Sequence, residues 1–295
     1  MNALSSSSSV LVTGATGHVG REVVARLAGR GPSVRRFVRR PAGPSGGGTG
    51  VVVGDLTDGP SVRAALRGVD AVFLVWPLLD SAPAGPLVAE LAAVSPHVVY
   101  LSSTAIDGAA RRQSDPIVQV HADMEALLRG AGLRLTVLRS DTLASNTLGW
   151  AHQLCAGDVV SGPDMPATAV VDERDVAAAV TAVLLGGPGA FARDTYALTG
   201  PALLRRAEQV GLLGAALGRD LRFEAVPAAL ARARMRADGR PEALVEALAE
   251  ASLRRPASAL VTGDVELLTG RPPGSFARWV RDRLGEFPSP GRTVT

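Results

Sequence analysis

The chain contains no lysine: all 31 residues of its Lys+Arg total are arginine. That absence removes any amine for Schiff-base formation, general-base work or proton relay, because arginine stays protonated in proteins. Tyrosine is nearly absent too, with only Tyr100 and Tyr196. The single cysteine, Cys155, excludes an internal disulfide and suits a reducing, cytoplasmic setting, where it reads as an inert thiol rather than a nucleophile. No apolar run approaches the ~18 residues that cross a bilayer. Met1 to Ser9 lacks a charged, cleavable signal pattern, so neither a membrane nor a secretory role is expected. The sequence pI of about 9.9 suggests nucleic acid until the charges are counted. Net charge is only +3, and no stretch interleaves arginines with aromatics, so no nucleic-acid partner is expected. No metal is expected either.

What is present is an alternation. Near-continuous Val/Leu runs at Ser9–Thr13, Val34–Val38, Val51–Val53, Ala71–Val75, Val98–Leu101 and Leu135–Leu138 predict parallel strands covered on both faces. Helical patterns at Val19–Leu27, Pro60–Leu66, Gly85–Val94 and Val118–Arg129 separate them. Strand–helix–strand repetition predicts an α/β fold, a Rossmann-type doubly wound parallel sheet. Further helices are expected at Glu173–Leu185, Ala202–Leu217, Pro241–Leu253 and Phe276–Leu284, with strands at Thr195–Leu198 and Leu221–Ala225. The expected organisation is a disordered leader over 1–8 and a dinucleotide-binding core over 9–150. Residues 151–295 then complete the sheet and form a smaller, mainly helical substrate lobe. Pro41–Gly50 reads as a surface loop from its glycine and proline content.

The first strand runs into Thr13-Gly14-Ala15-Thr16-Gly17-His18-Val19-Gly20, which opens a helix. Gly14 suits a tight turn, Gly17 lets backbone approach a pyrophosphate, and Gly20 allows close helix packing. Free N–H groups at the helix start would hold the phosphate charge, which places Thr16, His18 and Val19 at the site as well. After the second strand an NAD site usually carries a carboxylate; this chain has Arg39 and Arg40 instead, suited to the 2′-phosphate of NADP. Asp55 and Leu56 end the third strand, where the carboxylate could accept a bond from the adenine amine. Val75 and Trp76 end the fourth, with Trp76 readable equally as pocket wall or as packing.

These residues carry a resemblance. TGATGHVG, VRRFVRRP, VVVGDLTD, VVYLSSTAIDG, HADMEALLRGAGL, VVDERDVAAAV and VTGDVELLTGRPPGSFARWVRD follow one another as in the NmrA-like atypical short-chain dehydrogenases/reductases. The resemblance implies an NADP(H)-binding Rossmann domain with a small C-terminal substrate lobe. The arginine- and alanine-rich composition resembles actinobacterial proteins, among which reductases of this kind tailor polyketides. It also implies a contrast. Short-chain dehydrogenases usually carry Tyr-x-x-x-Lys on the helix after the fifth strand; here His121 stands in the tyrosine's place and Glu125 in the lysine's.

Ser102, Ser103 and Thr104 then remain upstream. Ser102 falls to the cofactor, and Ser103 or Thr104 matches the family's substrate-polarising serine, although such hydroxyls can simply cap a loop. His121 could be a general acid or a helix residue bonded to backbone. The expected activity is NADPH-dependent hydride transfer to a ketone or quinone of an apolar or aromatic small molecule, by a monomer or homodimer. A non-catalytic NADP-sensing regulator is the alternative, and an epimerase that recycles bound NADP a third.

Overall fold

The computed structural model describes residues 4–288 apart from Ser6, residues 41–49 and Asp238. The loop expected over Pro41–Gly50 therefore lies outside the described residues except for Gly50. So does much of the expected disordered leader. Leu4, however, is tied down, its N–H donating to the Leu185 carbonyl at 3.2 Å and its side chain resting on the core. That contact is a departure from a leader disordered throughout 1–8, and it arises because Leu4 finds apolar surface to cover.

The first half is built from β1 (Ser9–Thr13), α1 (His18–Leu27), β2 (Ser33–Val38), β3 (Val51–Val53), α2 (Gly59–Leu66), β4 (Ala71–Leu74), α3 (Gly85–Val94), β5 (His97–Ser103), α4 (Pro116–Gly130) and β6 (Arg134–Ser140). The second half adds α5 (Ala151–Ala156), β7 (Val159–Gly162), α6 (Glu173–Gly186), β8 (Thr195–Leu198), α7 (Arg206–Leu217) and β9 (Arg222–Ala225). It closes with α8 (Ala228–Ala237), α9 (Glu242–Arg254), α10 (Asp264–Thr269) and α11 (Phe276–Asp282). Seven strands form one parallel sheet in the order β3-β2-β1-β4-β5-β6-β8, and β7 pairs with β9 in a separate parallel ribbon.

Period-two alternation divides the core between the two faces. On one face Val10 and Val12 of β1 and Phe73 of β4 meet Val19, Val23 and Leu27 of α1 and Val176, Val180 and Leu184 of α6. On the other, Leu11, Val72 and Leu74 meet Val62 and Leu66 of α2, Leu87 and Leu91 of α3, and Met124 and Leu128 of α4. β1 and β4 are buried at every position because helices cover both sides. The chain leaves β1 toward β2 and returns to β4, so the strand order reverses at the β1/β4 crevice, where doubly wound sheets bind ligands.

Local chemistry sets the boundaries that periodicity missed. α4 starts two residues early because Asp115 caps it, its carboxylate accepting from the N–H groups of Ile117 and Val118 with Pro116 in the first turn. α7 starts four residues later than expected because Leu204 is held extended by pairing with Thr168. The VVDERD segment turns out to be an anchor. Fully buried Glu173 accepts from the Trp279 indole N–H and from Arg283, and Asp175 accepts from the Gly274 N–H, clamping the C-terminal helices onto α6.

Candidate functional site

The turn after β1 is shaped by backbone. Gly14 sits at φ +59°, the left-handed region that favours glycine, and its carbonyl accepts from the Gly17 N–H at 2.9 Å. A Cβ on Gly17 would lie 3.3 Å from that carbonyl, while one on Gly20 would lie 2.1 Å from it. Gly20 is thus required by contact with the turn itself rather than with the sheet. α1 then begins at Gly17 with no side-chain cap and no acidic residue in its first turn. Its first N–H groups are open, beside exposed Thr16 and half-buried His18, while Val19 is packed inward. The Thr13 hydroxyl ties this turn to the end of β4, accepting from the Val75 N–H at 2.7 Å. An open helix start beside a glycine cradle at the crevice fits a dinucleotide pyrophosphate.

Arg39 and Arg40 are exposed at the end of β2, with no carboxylate ion pair among the described residues. Asp55 faces the same corner, and Leu56 beside it is buried. The Thr57 N–H and hydroxyl both donate to Asp55 Oδ1 at 2.8 Å, and these bonds, aided by Arg39, hold the carboxyl below its ordinary pKa. Trp76 is packing: its indole is buried among Leu56, Ala84 and Leu87, and its N–H donates to the Asp80 carbonyl at 3.0 Å. The pocket-wall reading does not fit a side chain turned into the core.

Where Tyr-x-x-x-Lys would stand, the structure is rewired. Helical spacing puts His121 and Glu125 on one face of α4, and strand alternation puts Tyr100 and Ser102 on the facing side of β5. Glu125 lies bidentate with Arg139 of β6 at 2.8 and 2.9 Å and accepts from the Ser102 hydroxyl at 2.6 Å. Ser102 is therefore spent inside the fold, not turned toward a cofactor, because Glu125 is buried and needs the donor. Ser103 caps its own loop, its hydroxyl accepting from the Ala105 N–H at 3.2 Å, and the Thr104 N–H holds the Ser140 carbonyl. Both hydroxyl-bearing residues remain half-buried at the carboxyl end of β5.

The Tyr100 hydroxyl lies 3.1 Å from His121 Nδ1. Burial pushes the Tyr100 phenol far up and holds His121 down to about 4, so both are neutral at pH 7. Tyr100 is fully buried and its hydroxyl has no other partner, so if Nδ1 carried the hydrogen the phenol proton would have no acceptor. Tyr100 therefore donates to Nδ1, and the imidazole hydrogen sits on Nε2, which has no partner among the described residues and is not sealed from solvent.

Beyond the carboxyl end of β6 opens a cavity of about 490 Å³. Thr142, Asn146 and Trp150 line it from the segment after β6, α7, α8 and α9 contribute Arg206, Arg234, Met235 and Leu244, and Arg255 lines it just past α9. Arg255 joins this cavity to the rewired site, since its Nε donates to Asp115, the cap of α4, at 2.7 Å, and its charge is felt at His121. In the sequence Glu125 stands out only as occupying the lysine's place and Tyr100 only as one of two tyrosines; Arg139 and the cavity arginines go unmarked, because nothing local sets them apart.

A parallel doubly wound sheet with an open helix start at its switch point defines a Rossmann-type dinucleotide-binding fold. A family model described as NAD(P)H-binding matches residues 14–185, and the chain belongs to that family. A (4-alkanoyl-5-oxo-2,5-dihydrofuran-3-yl)methyl phosphate reductase of Streptomyces griseus is 40% identical over 288 residues, covering 94% of this chain and 99% of the relative. An NAD(P)H azoreductase of Xenophilus azovorans is 30% identical over 285 residues, with 94% and 99% covered. The NADPH-dependent quinone oxidoreductase of Escherichia coli, solved with NADPH, shares the fold at a TM-score of 0.76 and 22% identity, covering 93% of this chain and 99% of that one. The chain is an NAD(P)H-dependent oxidoreductase. Among the described residues no helix is long and apolar enough to cross a membrane.

Proposed function

We propose that this protein is an NADPH-dependent reductase that transfers hydride to a carbonyl-bearing small molecule lying between His121 and the adjoining cavity beyond β6, without a Tyr/Lys pair. The observation that carries the reading is the Tyr100–His121 pair, which leaves a neutral imidazole N–H unpartnered where the family's tyrosine would stand. Bound NADPH supplies the hydride. The glycine turn and the start of α1 hold the pyrophosphate, and Arg39 and Arg40 take the 2′-phosphate, which selects NADPH over NADH.

Hydride addition to a carbonyl carbon moves a bonding pair onto oxygen, which must be stabilised and then protonated. His121 Nε2–H donates a hydrogen bond to that oxygen, and buried Tyr100 fixes the tautomer that makes this possible. A neutral imidazole is a weak acid, so the final proton comes from water at the cavity mouth or from a hydroxyl adjoining the substrate carbonyl. Ser103 and Thr104, at the end of β5, orient the carbonyl. The Streptomyces relative acts on a molecule bearing alkanoyl and oxo groups, which supports a carbonyl compound here. The quinone and ketone substrates expected from the sequence fall in the same class.

The test is NADPH oxidation against a panel of quinones, aromatic ketones and acyl lactones, with NADH in parallel. Turnover of at least one class, faster with NADPH, is the expected result. Tight NADPH binding with no turnover of any of them would favour the cofactor-sensing regulator instead.

A further inference from the structure

We propose that Arg206, Arg234, Arg240 and Arg255 form an anion subsite that receives a phosphate monoester carried by the substrate. The inference rests on reading the cavity as the substrate pocket. All four arginines line it, and no aspartate or glutamate among the described residues does. Their partners are few. Arg255 is balanced by Asp115, and Arg206 has one bond, to the Pro163 carbonyl at 3.1 Å. Arg234 and Arg240 have no side-chain partner among the described residues.

The same helix provides an internal contrast. Arg232 and Arg236 of α8 face α9 and are neutralised by its Glu242, Glu246 and Glu250 at 2.5 to 3.4 Å. Arg234, between them in sequence, lines the cavity as an exposed side chain and has no counter-charge among the described residues. Burial, together with the neighbouring Arg255 and Arg240, holds Arg206 down to about 10, with Asp164 outside the cavity opposing the shift. Three guanidinium groups without carboxylate ion pairs among the described residues line one space, and they offer unneutralised positive charge to a ligand that brings negative charge.

A phosphate monoester matches best. It brings a charge of about −1.5 to −2 and three acceptor oxygens, which guanidinium forks engage pairwise. A carboxylate would leave roughly two of the three charges unmatched. Trp150, Met165, Met235, Leu244 and Leu248 also line the cavity and offer apolar surface to an alkyl or ring body. A cavity of about 490 Å³ lies within the roughly 300–1,000 Å³ typical of small-molecule sites.

The experiment is calorimetric titration of the full chain, saturated with NADP⁺ to fill the dinucleotide site, with phenyl phosphate and, separately, with benzyl alcohol. Phenyl phosphate is expected to bind at least tenfold more tightly than the alcohol. Arg206→Gln and Arg240→Gln should each weaken it at least tenfold, while Arg236→Gln leaves it unchanged and NADP⁺ affinity is the same in all. Because Arg206 is partly buried, Arg240→Gln and Arg234→Gln carry the test if Arg206→Gln does not fold. Equal binding of ester and alcohol, or an ester affinity indifferent to the cavity arginines, overturns the subsite while leaving the reductase reading intact. A protein that fails to bind or oxidise NADPH overturns the reductase reading itself.

Discussion

The glycine turn after β1 and the cavity beyond β6, the two places proposed to take negative charge, would do so by opposite means. At the turn, side chains are excluded: Gly14, Gly17 and Gly20 leave backbone N–H groups facing the crevice, and the positive end of α1 does the work. In the cavity, four long side chains from α7, α8, α9 and their flanks converge, and formal charge does it. The first device is built from eight consecutive residues. The second is assembled from positions up to 49 apart in sequence, from Arg206 to Arg255. A contiguous device can be read from its spacing, whereas a converging one exists only after folding.

The largest expected effect breaks the turn. Gly20→Val would put a side chain onto the Gly14 carbonyl and is expected to lower NADPH affinity more than a hundredfold, read by fluorescence titration, with circular dichroism checking the fold. Gly17→Val should also abolish binding, since the backbone could no longer approach the pyrophosphate, while Gly17→Ala, whose Cβ at a tight 3.3 Å asks the Gly14 carbonyl to give by only a few tenths of an ångström, should cost less than tenfold. Full binding by Gly20→Val would mean that the turn is not the cofactor cradle.

His121→Phe is next. If Nε2–H only stabilises the oxyanion, kcat should fall about tenfold to hundredfold, less than the loss of roughly 10²–10⁴ typical of a general acid. Tyr100→Phe should lower kcat in the same direction with little change in KM, because it frees the tautomer without touching substrate. A thousandfold loss in His121→Phe would make the histidine the acid.

Removing both Arg39 and Arg40 as alanines should erase an NADPH preference of at least tenfold, about 1.4 kcal/mol, measured as the ratio of dissociation constants for NADPH and NADH. Equal affinities in the unmodified protein would remove the assignment.

The smallest effect is on stability. His97 and His121 are both held down to about 4 by burial, and His97 bonds Thr136 with its Nδ1 unpartnered. Their folded pKa values lie below the unfolded value of about 6.5, so the unfolded chain binds more protons between those limits. Stability should therefore be full above pH 6.5 and fall as pH drops toward 4. The fall should be on the order of 3 kcal/mol per histidine at most. Denaturant midpoints across that range measure it, and a double His97→Gln, His121→Gln variant should flatten the profile.

Several strand cores and the start signal of α1 are legible because they are local: an apolar run reports burial, and a glycine spacing reports a turn. β7, α5, α8 and α10 were not foreseen, being short or irregular in pattern and stabilised by what they pack against. The Tyr100–His121 bond was not legible either, since 21 positions separate the partners and only strand alternation against helical spacing joins them.

The sequence by itself determined that no lysine chemistry operates here and that the Tyr-x-x-x-Lys solution is absent. It also determined that a glycine turn opens a doubly wound sheet, because composition and contiguous spacing need no third dimension. Only the tertiary structure decided that Glu125 is matched by Arg139 and that Ser102 is used up in that cluster. It also decided which arginines of α8 meet carboxylates and which face a cavity. Those outcomes depend on which faces are packed together, and a guanidinium at helical spacing looks the same in sequence whether a carboxylate, solvent or a pocket lies opposite it.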